Sequence, residues 1–351
     1  MTVVAVTGAR GALETAVIAR LARDERVERI IGVDTVEPDM PAPKLEFRTA
    51  DLRDPVLSRA LDGADVVVHL GTDIGESMSR DLHFARVVQG TRQVLDATER
   101  IGALAFVHLS STMVYGAHES NPVPLTEDTP RRVDPEALEA YHQLLAEELV
   151  LSFAAGHHDA RVTVLRAAPV LGPGVESPVT RLLEAPRVPL VDGYETSFQF
   201  VDVDDLAEAV HLAALGSLSG AYNVAADGWL PADEAATLLG RRVTRFPETV
   251  LTSALGLLRA AGLARLGPGH LSYLMFPWVA DTQRLRSAGW APRLSHREIL
   301  RAYAEVHHQW WRVGPLRVRR RVVYGVVGAI ALLPVSLAGQ QLRKRLQGRV
   351  I

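Results

Sequence analysis

The chain has 351 residues, 48% hydrophobic and 23% charged, which excludes a disordered chain and allows one large domain or two smaller ones. It has no cysteine, which excludes disulfides and cysteine-ligated zinc or iron–sulfur sites and fits a reducing, cytoplasmic setting. The net charge of −3 is uneven: residues 313–351 carry seven Arg and one Lys with no acid, leaving about −11 on the rest, so the main body is not expected to bind nucleic acid.

The first strand is expected at Val3–Val6, too close to the start to leave room for a signal peptide. It breaks at Thr7-Gly8, and a helix-forming run follows from Ala12 to Asp24. Thr7, Gly8, Arg10, Gly11, Ala12 and Leu13 then form an anion cradle, because unpaired N–H groups and the helix dipole favour a phosphate there. The usual spacing is Gly-x-x-Gly-x-x-Gly, but the third position here is Glu14. Further apolar runs at 30–34, 45–50, 64–70, 105–109 and 162–166 read as strands. Helices at 54–62, 79–101 and 134–155 fit between them. This alternation predicts an α/β fold with a doubly wound, Rossmann-type parallel sheet whose ligand lies at the strand C-terminal ends.

Asp34 ends the second strand about 20 residues beyond the glycine turn. A carboxylate there accepts hydrogen bonds from both ribose hydroxyls of an adenine nucleotide and repels a 2′-phosphate. That favours NAD. Arg10 pulls toward NADP, since it can pair with the extra phosphate.

Several motifs occur in order: Thr7-Gly-x-x-Gly11-x-Leu13, Ala50-Asp-Leu-Arg-Asp54, His69-Leu-Gly71, Gly90-Thr91, Ser110-Ser-x-x-Val-Tyr-Gly116, Leu165-Arg166 with Gly172-Pro-Gly174, Val203-Asp-Asp-Leu-Ala207 and Tyr222-Asn-Val-Ala225. Together they resemble the extended short-chain dehydrogenase/reductase family, also called the NAD-dependent epimerase/dehydratase family, over about residues 2–305. The resemblance implies that Asp51 and Leu52 flank the adenine and that Leu70 and Gly71 lie along the cofactor. It implies a dinucleotide-binding domain over 1–165 and a smaller substrate lobe over 166–312, with part of it returning to the core near 198–226. It also implies a homodimer built on helices 79–101 and 134–155.

The family's reaction moves a proton through a tyrosinate while hydride passes to or from the nicotinamide. A tyrosine's ordinary pKa of about 10 is too high for this, and a lysine four residues later lowers it. By resemblance, Ser111 matches the family serine and Tyr141 the tyrosine. Position 145 is then Leu. The only lysines are Lys44 and Lys344, so Tyr-x-x-x-Lys is absent from the chain. The relay asparagine falls on Val87, and the sugar-nucleotide asparagine and arginine fall on Pro169 and Phe198. His69 and His108 read as packed histidines rather than bases, and no metal-ligand spacing stands out.

After Trp310-Trp311 the composition changes. Arg317–Arg321 and Arg343–Arg345 flank an uncharged stretch, 322–342, interrupted by Pro334. Residues 317–345 are therefore expected to meet an anionic membrane surface, as on an inner leaflet, by a re-entrant or interfacial segment rather than a simple span. Three functions remain open: an NAD(P)-dependent oxidoreductase or epimerase acting on a small carbonyl or hydroxyl substrate with Tyr141 and Ser111, a weakened or inactive NAD(P)-binding sensor or scaffold, or an enzyme whose acid–base groups are other residues that the sequence does not locate.

Overall fold

The computed structural model describes residues 1–38, 42–54, 57–70, 79–260, 267–307, 310–313 and 316–319. In chain order the first half runs β1 Thr2–Thr7, α1 Ala12–Arg23, β2 Val27–Asp34, β3 Leu45–Thr49, α2 Leu57–Leu61, β4 Val66–His69, α3 Arg80–Phe84, a π turn Ala85–Gln89 and α4 Gly90–Ile101. Then come β5 Ala105–Ser111, a 3-10 turn Thr112–Tyr115, α5 Leu138–Gly156 and β6 Arg161–Ala167. The second half runs β7 Val170–Leu171, α6 Pro178–Glu184, β8 Arg187–Val191, β9 Ser197–Phe198, β10 Val201–Asp202, α7 Val203–Leu215 and β11 Gly220–Val224. It continues with β12 Leu230–Pro231, α8 Ala232–Leu238, β13 Arg242–Phe246, α9 Glu248–Ala260, a 3-10 segment Pro268–Leu274, α10 Gln283–Ser287, α11 His296–His307, β14 Trp310–Val313 and β15 Leu316–Arg319.

Seven strands form one parallel sheet in the order β11-β6-β5-β4-β1-β2-β3. Val4, Ala5 and Val6 of β1 and Val67 and Val68 of β4 are fully buried, because helices cover both faces of the sheet. On one face α1 and α7 pack over Val4, Val6 and Val68; on the other α2, α4 and α5 pack over Ala5, Val67 and Phe106. The strand order reverses between β1 and β4, which opens a crevice at their C-terminal ends.

Polar ties fix this core. His69 Nδ1 lies 2.7 Å from Thr7 Oγ1, and Nε2 lies 3.0 Å from Thr91 Oγ1. Thr91 donates its own proton to the Val87 carbonyl (2.6 Å), so it accepts from Nε2–H and leaves Nδ1 to accept from Thr7. His69 is thus a neutral tie between β1, β4 and α4, stacked on His108. The packed reading of both histidines holds.

The motifs of the second half also resolve into structure. Asp205 is buried and accepts from Arg293 N (2.9 Å), Arg293 Nε (2.7 Å) and Leu294 N (3.3 Å), while its carbonyl accepts from Trp290 Nε1 (3.0 Å). Tyr115 is buried, its hydroxyl donates to Asn223 Oδ1 (2.7 Å), and burial pushes its phenol up to about 12 against the opposing pull of Arg166. Asp205 ties α7 to the segment before α11, Tyr115 ties the turn after β5 to β11, and both are structural. A second cluster, with Leu183, Leu190, Phe200, Ala235 and Leu300 buried, forms the smaller lobe around β8 and β13.

The tail begins as an antiparallel hairpin, β14 with β15, held by Arg241 Nη2 donating to the Trp310 carbonyl (2.7 Å). Arg317 and Arg319 lie in β15, whereas 322–342 falls outside the described residues. Among the described residues no helix is long and apolar enough to cross a membrane.

Candidate active site

A cleft of about 1000 Å³ runs along the C-terminal end of the sheet and into the smaller lobe. Asp34, Thr35, Asp51, Leu52 and Arg53 line one end, and Gly8, Arg10, Gly11, Ala12, Leu13, Glu14 and Leu70 line the middle. Ser110, Ser111, Met113, Glu139 and Gln143 follow. The far end is apolar, with Val179, Leu182, Phe198, Leu251, Leu255 and Leu271 among its walls.

At the cradle, Gly8 adopts φ 73°, and its N–H and that of Ala9 donate to the Val33 carbonyl (2.9 and 3.3 Å). That conformation suits glycine alone at little cost. Gly11 is the N-cap of α1 with φ 147°, and it supplies no side chain to cap the first-turn N–H groups. Those groups are the anion donors expected there. Glu14 turns back over them, and a Cβ added at Gly11 would collide with its Oε2. The carboxylate thus lies on the open face of the cradle.

Asp34 ends β2. Its Oδ1 accepts from Thr35 N (2.6 Å) and Thr35 Oγ1 (3.2 Å), which fixes the carboxylate at the cleft edge. Asp51 is held by Arg53 through Nε (2.9 Å) and Nη2 (2.5 Å), and this pairing, opposed by burial, brings its carboxyl down to about 2. Thr7 does not reach the cleft. It is fully buried with its hydroxyl on His69, so its expected contact with cofactor is corrected to a core tie. Gly71 lies outside the described residues.

Ser111 takes its expected place in the cleft at the end of β5, its Oγ accepting from Met113 N (3.2 Å). Its neighbour Ser110 donates to the buried Glu147 (2.5 Å).

Tyr141 does not take the expected place. It packs beside Val114, Tyr115 and Tyr273 in a separate core cluster, outside the cleft lining. The α5 face turned to the cleft carries Glu139, Ala140 and Gln143. Glu139 and Gln143 are four residues apart and share that face, as the family's tyrosine and lysine would. Tyr141 and Leu145 do not line the cleft, whereas Glu139 and Gln143 do. Polar Glu139, Gln143 and Glu147 form an i, i+4, i+8 stripe, a periodicity already present in the sequence. Val87 is buried in the π turn and also misses the cleft; its neighbour Arg86 lines it.

Glu139 has a partner that the sequence did not suggest. His270 Nε2, from the 3-10 segment of the smaller lobe, lies 2.8 Å from Glu139 Oε2. His270 Nδ1 accepts from Gly267 N (3.3 Å), which leaves the ring proton on Nε2. Burial works to raise the Glu139 pKa, but hydrogen bonding and charge from His270, with His83 behind it, hold it below its ordinary value. His83 and His142 face each other at 2.7 Å between Nδ1 atoms, and burial keeps both below the usual imidazole range. Among the described residues no group of three or more His, Asp or Glu is arranged to hold a metal ion.

This sheet, cradle and cleft match a known family: the model of the NAD dependent epimerase/dehydratase family fits residues 4–225. The chain belongs to that family. An uncharacterized protein of Mycobacterium tuberculosis is 29% identical over 331 residues, covering 90% of this chain and 87% of its own length. The dTDP-glucose 4,6-dehydratase of Streptomyces griseus is 29% identical over 208 residues, covering 56% of this chain and 62% of its own length. Among solved structures, the dTDP-glucose 4,6-dehydratase of Bacillus anthracis in complex with NAD superposes with a TM-score of 0.65 at 16% identity, covering 87% of this chain and 96% of that one. The epimerase/dehydratase family thus accounts for the Rossmann half and the fold of the attached lobe.

Proposed function

We propose that the cleft holds NAD, with its adenosine at Asp34, its pyrophosphate on the Gly8–Leu13 cradle and its nicotinamide toward Ser111 and Glu139. The observation that carries this reading is the continuity of one cleft through all three places. The family name, the uncapped N-terminus of α1 and the acid at the end of β2 support it. NAD would supply a hydride acceptor, and its reduced form a donor. Asp34 favours NAD over NADP, since a 2′-phosphate beside its carboxylate is repelled. Glu14 has to swing off Gly11 when the pyrophosphate binds; it is a flexible side chain at the helix edge, so the cradle still fits the group.

On this reading the protein is an oxidoreductase or epimerase of a hydroxyl or carbonyl compound with an apolar body. Phe198 and Pro169 line the cleft where a nucleotide-sugar enzyme would need an arginine and an asparagine. Neither can pair with a diphosphate. A second reading, an NAD-responsive sensor, is favoured by Gln143: an amide on the cleft face of α5 brings no charge to tune a proton donor.

NAD and NADP binding, followed by calorimetry, tests the proposal. NAD is expected to bind more tightly than NADP. Gly11→Val, which puts a side chain on the cradle at a positive φ, is expected to weaken NAD about 100-fold or more. Heats that are absent for both nucleotides, or unchanged by Gly11→Val, would sink the proposal.

A further inference from the structure

We propose that Glu139 and His270 form the acid–base pair of this cleft, filling the role that tyrosine and lysine play in relatives. The proposal rests on the NAD reading above and concerns the end of the cleft opposite Asp34. The dinucleotide's adenosine half lies on the β2 side of the switch point, so its other half runs toward β5 and α5. Ser111, Glu139, Gln143 and His270 all line that part.

The pair is built into the fold rather than formed by chance side-chain contact. Gly269 lies against the start of α5, where an added Cβ would collide with the Glu136 carbonyl carbon and stand 2.5 Å from the Ala137 nitrogen. Only a residue without a side chain allows the 3-10 segment this close, and the next residue, His270, is thereby delivered to Glu139. His270 is 4% exposed and its Nδ1 is occupied by Gly267, so its Nε2–H has one orientation. Oε2 and Nε2, 2.8 Å apart, are both buried and have no hydrogen-bond partner with aligned geometry among the described residues, so the contact is a close ion-pair approach. A half-buried carboxylate one helical turn from Gln143, open to the cleft and oriented by a histidine from the opposite lobe, has the parts of a general base with its orienting group.

In the oxidative direction the substrate hydroxyl gives its proton to a Glu139 carboxylate oxygen. The carbinol carbon loses its hydride, with two electrons, to the oxidised nicotinamide. The C–O bond becomes C=O, and Glu139 ends as the neutral acid, which returns its proton to solvent. In the reductive direction the neutral acid supplies that proton. His270 is a positioning residue: it fixes the reacting carboxylate and keeps it ionised between turnovers.

A test needs no substrate, because oxidised nicotinamide is cationic and reduced nicotinamide is neutral. An ionised Glu139 beside the ring therefore favours NAD⁺ over NADH, by about tenfold for a charge a few ångströms away in a partly screened site. The full-length protein is titrated with NAD⁺ and with NADH from pH 5 to 8. The groups acting on Glu139 are His270 from the 3-10 segment and His83 from α3, with His142 of α5 paired to His83. Wild type is expected to prefer NAD⁺ throughout this range, because His270 and His83 hold the Glu139 carboxyl below its ordinary value and it stays ionised. Glu139→Gln, nearly isosteric, is expected to abolish the preference at every pH. His270→Gln is expected to keep it at pH 8 and to lose it toward pH 5, because burial then acts on Glu139 without His270 opposing it. If both nucleotides bind and Glu139→Gln leaves the ratio and its pH profile unchanged, the pair is structural and the proposal is wrong. If neither nucleotide binds to wild type, the NAD reading itself falls and takes the pair with it.

Discussion

Replacing Arg166 by Met is expected to lower the unfolding free energy by about 3–5 kcal/mol, the cost of stranding a buried charge. Glu147 is fully buried in the middle of α5, and Arg166 at the end of β6 is 3% exposed. Their side chains meet through Arg166 Nη2 (2.7 Å) and Nε (3.1 Å). Ser110 and Arg131 (3.1 Å) complete the carboxylate's partners, and Arg166 Nη1 also donates to Tyr115 (2.8 Å) and to the Glu127 carbonyl (3.0 Å). The methionine keeps the packing of the stem and removes all of Arg166's donors, leaving Glu147 with only Ser110 and Arg131. Urea unfolding of wild type, Arg166→Met, Glu147→Leu and the double variant measures the coupling. The double variant is expected to be more stable than the sum of the two single losses allows. Additive losses would mean that the pair is not coupled.

Acid is expected to unfold the protein well above the pH at which carboxylates titrate. His69 and His108 are buried side by side, and burial, with His108's charge acting further on His69, depresses them to about 3 and about 4. In the unfolded chain each takes up a proton near 6.5. Below that pH the unfolded state binds more protons than the folded one, so stability falls with falling pH until the folded values are reached. At pH 5 the two together are expected to remove about 4 kcal/mol relative to pH 7.5 or above, at ~1.4 kcal/mol per unit for each. His108→Phe, a ring that takes no proton, is expected to abolish about half of that loss. Equal stability of wild type at pH 7.5 and pH 5 would contradict the burial of these two groups as neutral rings.

The sheet was legible because Val, Ile and Leu runs alternate with helical ones, and every strand expected from residue 3 to 166 lies in the sheet. Gly8, Gly11 and Asp34 were legible because a tight turn, an uncapped helix and a strand-end carboxylate each have a local sequence signature. Thr7 was misplaced because side-chain direction alternates along a strand, and its hydroxyl turns inward to His69. Tyr141 is the residue type the family's chemistry calls for, but α5 turns Glu139 and Gln143 to the cleft and Tyr141 away from its lining. The helix instead presents the stripe of Glu139, Gln143 and Glu147, which only the periodicity of α5 reveals. His270 was beyond local reading: it is brought to Glu139 by a contact between segments more than a hundred residues apart, made possible by Gly269.

Hydrogen–deuterium exchange of the full-length protein with and without saturating NAD tests the dinucleotide cleft most directly. Slower exchange is expected at Gly8–Leu13, Asp34–Thr35, Asp51–Arg53 and Ser111–Met113 together, since one extended molecule would cover all four. No protection at the Gly8–Leu13 cradle under conditions where NAD is bound would contradict it.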